Sequence, residues 1–116
     1  MMNQSTLGAP EATLMAVEPG VCGFPCTIRA KKSMDGKVRV SITDSHCEQV
    51  QKMSAFIEEL TLKDLFLPLT KNPIHRWAEK ARCHPSCIVP FAILKAVEVE
   101  MGMALPKTAG IEFTRE

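Results

Sequence analysis

The stretch that decides the fold is residues 21–43, VCGFPCTIRAKKSMDGKVRVSIT, which contains two segments with period-two alternation. In residues 21–30 the side chains that share one face are mostly apolar: Cys22, Phe24, Cys26, Ile28 and Ala30. In residues 38–43 polar side chains alternate with Val38, Val40 and Ile42. Alternation of this kind predicts half-buried strands. Because the turn dipeptide Asp35-Gly36 lies between them, we predict a β-hairpin.

The segment after the hairpin carries the signals of a first helix. Ser45 and Glu48 have the spacing of a capping box, which predicts that the helix begins there. Its apolar stripe has three- and four-residue spacing and consists of Val50, Met53, Ile57 and Leu60. Thr61 and Asp64 then predict one further capped turn.

Two more helices and a strand are predicted in the remainder of the chain. Asn72 is a favoured N-cap residue and Pro73 suits the first helical position, so a second helix is predicted to begin there. The last helix is predicted at residues 91–101, with Gly102 as its left-handed C-terminal residue. Residues 111–114 alternate again and predict a short closing strand.

This order of elements predicts an α+β fold. A β-hairpin, two to three helices and a C-terminal strand would form a small antiparallel sheet with the helices on one face. Residues 1–20 mix Gly, Pro, Ser, Thr and Glu and are expected to form a flexible N-terminal arm. Residues 21–116 are expected to form a single α+β domain, which suits a chain of 116 residues.

The composition excludes several classes of protein. With 46% hydrophobic and 23% charged residues the chain is globular rather than disordered. A net charge of +1 disfavours nucleic acid as a partner, and no apolar stretch reaches the length of a membrane-spanning helix. The first twenty residues lack the basic and apolar regions of a secretory signal. We therefore expect a cytoplasmic protein whose cysteines are reduced.

The five cysteines are the residues most suggestive of function. Cys22 and Cys26 form one C-x-x-x-C motif, and Cys83 and Cys87 form another. Paired thiolates suit zinc or an iron–sulfur cluster, because thiolate is a soft, anionic ligand. The alternative is that they are structural thiols, since free cysteine often packs as a small buried hydrophobe.

Backbone geometry makes the motif of Cys22 and Cys26 the weaker candidate for a metal site. In a regular strand Cys22 and Cys26 would lie about 13 Å apart, whereas sulfurs bound to one zinc lie at most about 4 Å apart. Both can bind one metal only if Gly23 and Pro25 turn the backbone. Pro25 has no N–H for a strand ladder, so it either marks an edge or ends the strand before Cys26.

The second motif is the better candidate. Its central Pro85 favours a bend, and His84 adds an imidazole. We therefore predict Cys83 and Cys87 as the first pair of metal ligands. Cys47, Cys22 and Cys26 are alternative candidates for the remaining ligand positions.

Cys47 also supports a different hypothesis, a thiol-dependent redox enzyme. At the second position of a capped helix, the amides of the first turn would favour its thiolate. His46 is the neighbouring candidate base, but adjacent helical residues point in different directions. With no oriented base evident, a non-enzymatic role is favoured.

A third hypothesis is an interaction domain with inert thiols. The predicted last helix offers an apolar face formed by Phe91, Leu94 and Met101. That face would bind a protein partner or a second copy of the chain, forming a homodimer.

Two segments carry a resemblance to a known family. Residues 87–106, CIVPFAILKAVEVEMGMALP, together with residues 21–24, VCGF, resemble a small family of uncharacterised cysteine-containing proteins from anaerobic bacteria and archaea. The resemblance implies a prokaryotic, cytoplasmic, low-oxygen setting, which is compatible with reduced thiols and iron–sulfur chemistry. It implies no activity and no site residue.

Overall fold

The computed structural model describes residues 11–116. Three antiparallel strands form one sheet in the order β1-β2-β3: β1 (Thr13–Val17), β2 (Cys26–Lys32) and β3 (Val38–Thr43). Ile28 in the central strand lies opposite Met15 on one side and Ile42 on the other. The predicted hairpin is confirmed as β2 and β3, and its turn uses Gly36 at a φ of 89°.

The helices follow the sheet in sequence. They are α1 (Glu48–Phe56), α2 (Pro73–Lys80) and α3 (Val89–Glu100), with short 3-10 helices at Leu62–Phe66 and Leu69–Lys71. Helix α3 packs along β1 and β2, and α1 contacts β3. The predicted α+β fold class, a small antiparallel sheet with helices, is therefore confirmed.

The core lies between the helices and one face of the sheet. In β2, Ile28 and Ala30 are fully buried, whereas the side chains between them, such as Arg29, reach the opposite face. The largest buried side chains come from all parts of the chain: Ile28, Met53, Leu60, Ile74, Ile93, Val38, Val89 and Val97. The opposite face of the sheet carries exposed residues, including Leu14 and Ser41.

The third strand of the sheet is not where the sequence predicted it. Residues 111–114 form no strand, and the strand that joins the hairpin is β1, inside the segment expected to be a flexible arm. Pairing with β2 and packing against α3 order this segment, since Val17 is buried and Met15 is partly buried in the core. Residues 1–10 of the expected arm lie outside the described residues.

Strand β2 and helix α1 both begin later than predicted. Residues 21–25 precede β2, so the strand starts just after Pro25. The N-cap residue of α1 is Cys47, not Ser45, because the Ser45 hydroxyl accepts a hydrogen bond from the Cys47 N–H (3.2 Å) in a turn before the helix. Leu60 lies beyond the end of α1 and instead forms an antiparallel bridge with Val38.

Three other local signals at helix ends are confirmed, although α3 begins at Val89, two residues earlier than predicted. The Asp64 carboxylate accepts hydrogen bonds from the Thr61 N–H (2.8 Å) and hydroxyl (3.1 Å). Buried Asn72 caps α2 by accepting from the Ile74 N–H (3.0 Å), and its amide donates to the Asp64 carbonyl (3.1 Å). Gly102 follows α3 with a φ of 76°, as a left-handed C-terminal residue requires.

We expect Asn72→Ala to lower the free energy of unfolding by about 1–3 kcal/mol, because it removes both the helix cap and the hydrogen bond from the Asn72 amide to the Asp64 carbonyl. Asn72→Asp retains the oxygen that caps the helix but loses the amide donor, so the free energy of unfolding should fall by less than in Asn72→Ala. Urea unfolding followed by circular dichroism measures both. The exposed neighbour Thr70→Ala is the control, and an Asn72→Ala midpoint equal to that of the control would contradict this role.

Candidate functional site: a cluster of thiols at one end of the sheet

The direction of α3 decides which residues meet at each end of the sheet. At its C-terminal end, the Glu100 carboxylate accepts hydrogen bonds from the Thr13 hydroxyl (2.7 Å) and the Lys32 N–H (2.8 Å). Thr13 begins β1 and Lys32 ends β2, so the C-terminal end of α3 lies there. Since α3 packs along both strands, its N-terminal end lies near Cys26, where β2 begins.

The start of α1 lies at the same end of the sheet. Thr27 in β2 pairs with Thr43, the last residue of β3. The chain then turns through Asp44, which has a φ of 64°, and reaches Cys47 three positions later. Cys26 is buried in the core and Cys47 is partly buried against it.

Cys83 and Cys87 come from the connection between α2 and α3. Arg82 adopts a φ of 63° after α2, and the Cys83 N–H donates to the Ala78 carbonyl (2.9 Å), which closes a Schellman motif. The Cys87 N–H donates to the His84 carbonyl (3.0 Å), so the predicted bend through Pro85 is present. The bend places both thiols against the core, just before α3 begins.

Three of the thiols have raised pKa values, to which burial and the charges of other cysteines contribute. Burial raises the pKa of Cys83 to about 11, and the negative charges that Cys87 and Cys47 would carry add to this rise. Burial also raises the pKa of Cys26, again with contributions from Cys87, Cys47 and Cys22. These effects agree with the element ends described above, which bring the cysteines to the same end of the sheet.

We call this group the thiol cluster: Cys22, Cys26, Cys47, Cys83 and Cys87. Burial raises the pKa of Cys87 too, while a hydrogen bond from the Val89 backbone N–H lowers it. All five cysteines are free, and Cys22 is exposed. Neutral thiols are therefore the resting form of Cys26, Cys83 and Cys87 at neutral pH.

Cys22 lies in the loop that joins β1 to β2. Gly20 (φ 88°) and Gly23 (φ 73°) turn this loop, and the Gly23 N–H donates to the Gly20 carbonyl (2.9 Å). The loop thus supplies the turn that the sequence analysis required before Cys22 and Cys26 can act together. Within residues 11–116, however, no three His, Cys, Asp or Glu side chains are arranged to hold a metal ion.

Neither of the two histidines considered with these thiols is buried with them. His46 and His84 are both exposed. The Cys47 thiol donates to the Gln49 amide oxygen (3.4 Å), and Cys47 is the N-cap residue of α1, not its second residue. The pairing of Cys47 with His46 that a thiol enzyme would need is absent among the described hydrogen bonds.

Sequence reasoning missed two carboxylates beside the cluster. A shallow open depression next to Cys26 is lined in part by Glu18 and Asp44. Neither belongs to a recognisable motif, and the only local signal was their position directly after β1 and β3. They add negative charge beside the thiols.

The apolar face proposed on α3 is only partly exposed. Leu94 and Met101 pack against the core, whereas Phe91 is 48% exposed. The ring of Phe91 also meets that of His75 edge to face at 5.0 Å. One aromatic side chain is thus available to a partner on this face, not a continuous stripe.

A family model matches residues 13–113, from the first residue of β1 to Phe113. The matching family is described as a family of unknown function, DUF6951. The chain belongs to this family. The match agrees with the predicted membership of an uncharacterised family, and the low-oxygen setting stays a prediction. No curated protein and no solved structure matches this DUF6951 chain.

The helices of this DUF6951 protein are short and only partly apolar. None of those in residues 11–116 is long and apolar enough to cross a membrane.

We expect the thiols of the native protein to react with iodoacetamide in a graded order at pH 8, with exposed Cys22 first. Thiolate is the reactive form, so a pKa of about 11 instead of 9.0 leaves Cys83 with about a hundredfold less thiolate. The labelling rate of Cys83 should rise as the pH is raised toward 11. Peptide mass spectrometry measures each site.

Protein unfolded in urea is the control, because all five cysteines should then react alike. Equal labelling of Cys83 and Cys22 in the native protein at pH 8 would show that Cys83 is not shielded as the structure indicates.

Proposed function

We propose that this protein is a non-enzymatic thiol module that binds zinc or an iron–sulfur cluster. The observation that carries the proposal is the convergence of five free cysteines at one end of a small sheet. They come from separate places in the fold: the β1–β2 loop, the start of β2, the N-cap of α1 and the α2–α3 connection.

The chemistry of the cluster favours a soft metal. Sulfur ligands select zinc, monovalent copper and iron–sulfur clusters over hard cations such as magnesium. The carboxylates of Glu18 and Asp44 add negative charge nearby, which favours the approach of a cation. Tetrahedral zinc requires four ligands, so the cluster contains enough sulfurs for a complete site.

Cys83 and Cys87 are the first pair of ligands in this proposal. Their connection already bends through Pro85, and both residues are partly buried against the core. The glycine-rich loop is the segment that would close over the ion and bring Cys22 to it. His84 is left as an exposed neighbour that is not required.

A bound metal ion would offset the repulsion between the thiolates of the cluster. Burial and repulsion by neighbouring thiolates raise the pKa values of Cys26, Cys83 and Cys87, so these three are protonated in the free protein. A bound cation stabilises thiolates and displaces their protons. Affinity should therefore increase with pH, by up to about tenfold per pH unit for each proton released.

A reducing compartment such as the cytoplasm suits this proposal, because a free thiol cluster would otherwise oxidise to disulfides. The enzyme alternative has less support, since Cys47 bonds to Gln49 and His46 is exposed. We therefore favour binding over catalysis.

Protein purified under anaerobic, reducing conditions and titrated with Co²⁺ in place of zinc should show thiolate-to-cobalt charge-transfer absorption that saturates near one equivalent. We expect Cys83→Ser and Cys87→Ser each to weaken binding at least about a hundredfold, more than the loss of an outer-shell group. Anaerobic reconstitution with iron and sulfide tests the cluster alternative in the same variants.

Ser86→Ala, within the same connection, is the matched control and should bind as the unchanged protein does. His84→Ala tests the imidazole and should have little effect. If neither cobalt, zinc nor an iron–sulfur cluster is retained and chelator leaves the folded protein unchanged, the thiols are structural and the proposal is wrong.

A further inference from the structure

The segment after α3, residues 103–116, lies entirely on the surface of the protein. All fourteen of its residues are exposed, and they form neither helix nor strand. From Ala104 onward its one hydrogen bond within the described part of the chain runs from the Lys107 N–H to the Leu105 carbonyl (2.8 Å), inside the segment itself. We call residues 103–116 the C-terminal segment.

The C-terminal segment nevertheless has the sequence pattern of a strand. Ile111 and Phe113 alternate with Glu112 and Thr114, and alternating apolar and β-branched residues are typical of strands. Ile111 is 78% exposed and Phe113 is 95% exposed. When such a stretch pairs with a sheet, its backbone gains hydrogen bonds and its two large apolar side chains lose contact with water, and both changes are favourable.

The sheet has an edge that can accept such a strand. Strand β1 lies at one side of the β1-β2-β3 order, and no strand in residues 11–116 pairs with its outer edge. On the open face of β1, Leu14 is 68% exposed. The edge at β3 is partly occupied, since Leu60 bridges to Val38.

We propose that two copies of this chain form a homodimer in which the C-terminal segment of each copy adds a strand to the β1 edge of the other. Each copy has one C-terminal segment and one free β1 edge. In a dimer with a two-fold axis, both segments and both edges are therefore paired, and no β1 edge is left open. Backbone hydrogen bonds of the added strand supply affinity, as in other cases of strand addition. Ile111 and Phe113 then lie beside Leu14.

The position and size of the C-terminal segment favour a second copy. The Glu100 hydrogen bond to Thr13 (2.7 Å) places the end of α3 beside the first residue of β1, so the segment starts close to the edge. Within one copy, however, the segment leaves that edge uncovered. Each copy would contribute the fourteen residues of its C-terminal segment and the five of its β1 to the interface. This number approaches the roughly 20–30 residues that each side contributes to a stable interface. Both β1 and Phe113 lie within residues 13–113 that match the family.

Sedimentation equilibrium over micromolar to millimolar concentrations tests the proposal in the full chain. We expect a dimer that Phe113→Asp and Leu14→Asp each weaken by at least about tenfold, because each places a charge at both junctions. Met34→Asp, at a residue that is 106% exposed on the hairpin turn, is the matched control and should leave the dimer unchanged. Hydrogen exchange should show protected amides at residues 111–115 only in the dimer.

Mixing the two weakened variants gives a sharper result. A heterodimer of Phe113→Asp with Leu14→Asp has one intact junction, formed by the Leu14→Asp copy's segment and the Phe113→Asp copy's edge. We expect one aspartate to disrupt the junction in which it lies, so each homodimer has two disrupted junctions and the heterodimer has one. The mixture should therefore dimerise more tightly than either variant alone.

Three outcomes would overturn the proposal. The first is a monomer at every concentration, including one whose C-terminal segment is protected on its own sheet. The second is a dimer that resists Phe113→Asp but is broken by Phe91→Asp, which would place the interface on α3. The third is a mixture of the two variants with no gain in association.

Discussion

The packing of α3 across the sheet is the interaction on which the rest of this structure depends. Ile93 and Val97 are fully buried, and burial of each such side chain contributes about 1.5–3 kcal/mol. The hydrogen bonds of Glu100 to Thr13 and Lys32 contribute only about 0.5–3 kcal/mol each. Apolar burial therefore supplies most of the energy, and the Glu100 hydrogen bonds join the C-terminal end of the helix to the end of the sheet where β1 begins.

That orientation accounts for the properties of the thiol cluster. Because the N-terminal end of α3 lies where β2 begins, the α2–α3 connection places Cys83 and Cys87 at the border of the core, at the end of the sheet where Cys26 lies. At this border the thiols lose water and repel one another as anions, so the pKa of each of the three rises. The same burial makes these three thiols poor nucleophiles at neutral pH.

Predictions that depended on a few neighbouring residues were confirmed. The β-hairpin turn at Gly36, the Thr61–Asp64 cap, the Asn72 cap and the left-handed Gly102 all involve contacts between residues within a few positions of one another. The capping box at Ser45 was wrong because another local bond, from the Cys47 N–H, used the same hydroxyl. Competition between local bonds cannot be judged from spacing alone.

The sequence by itself determined the fold class, most turns and helix ends, and the identity of the candidate ligands, because these follow from periodicity and short-range hydrogen bonds. It did not determine which strand completes the sheet, since Thr13–Val17 and residues 111–114 both have strand-like composition. Only the tertiary structure decided that β1 pairs with β2 and that Cys26, Cys47, Cys83 and Cys87, from distant parts of the chain, pack in or against one core. The reason is physical: both results depend on how α3 lies on the sheet, and that orientation arises from contacts between residues far apart in sequence.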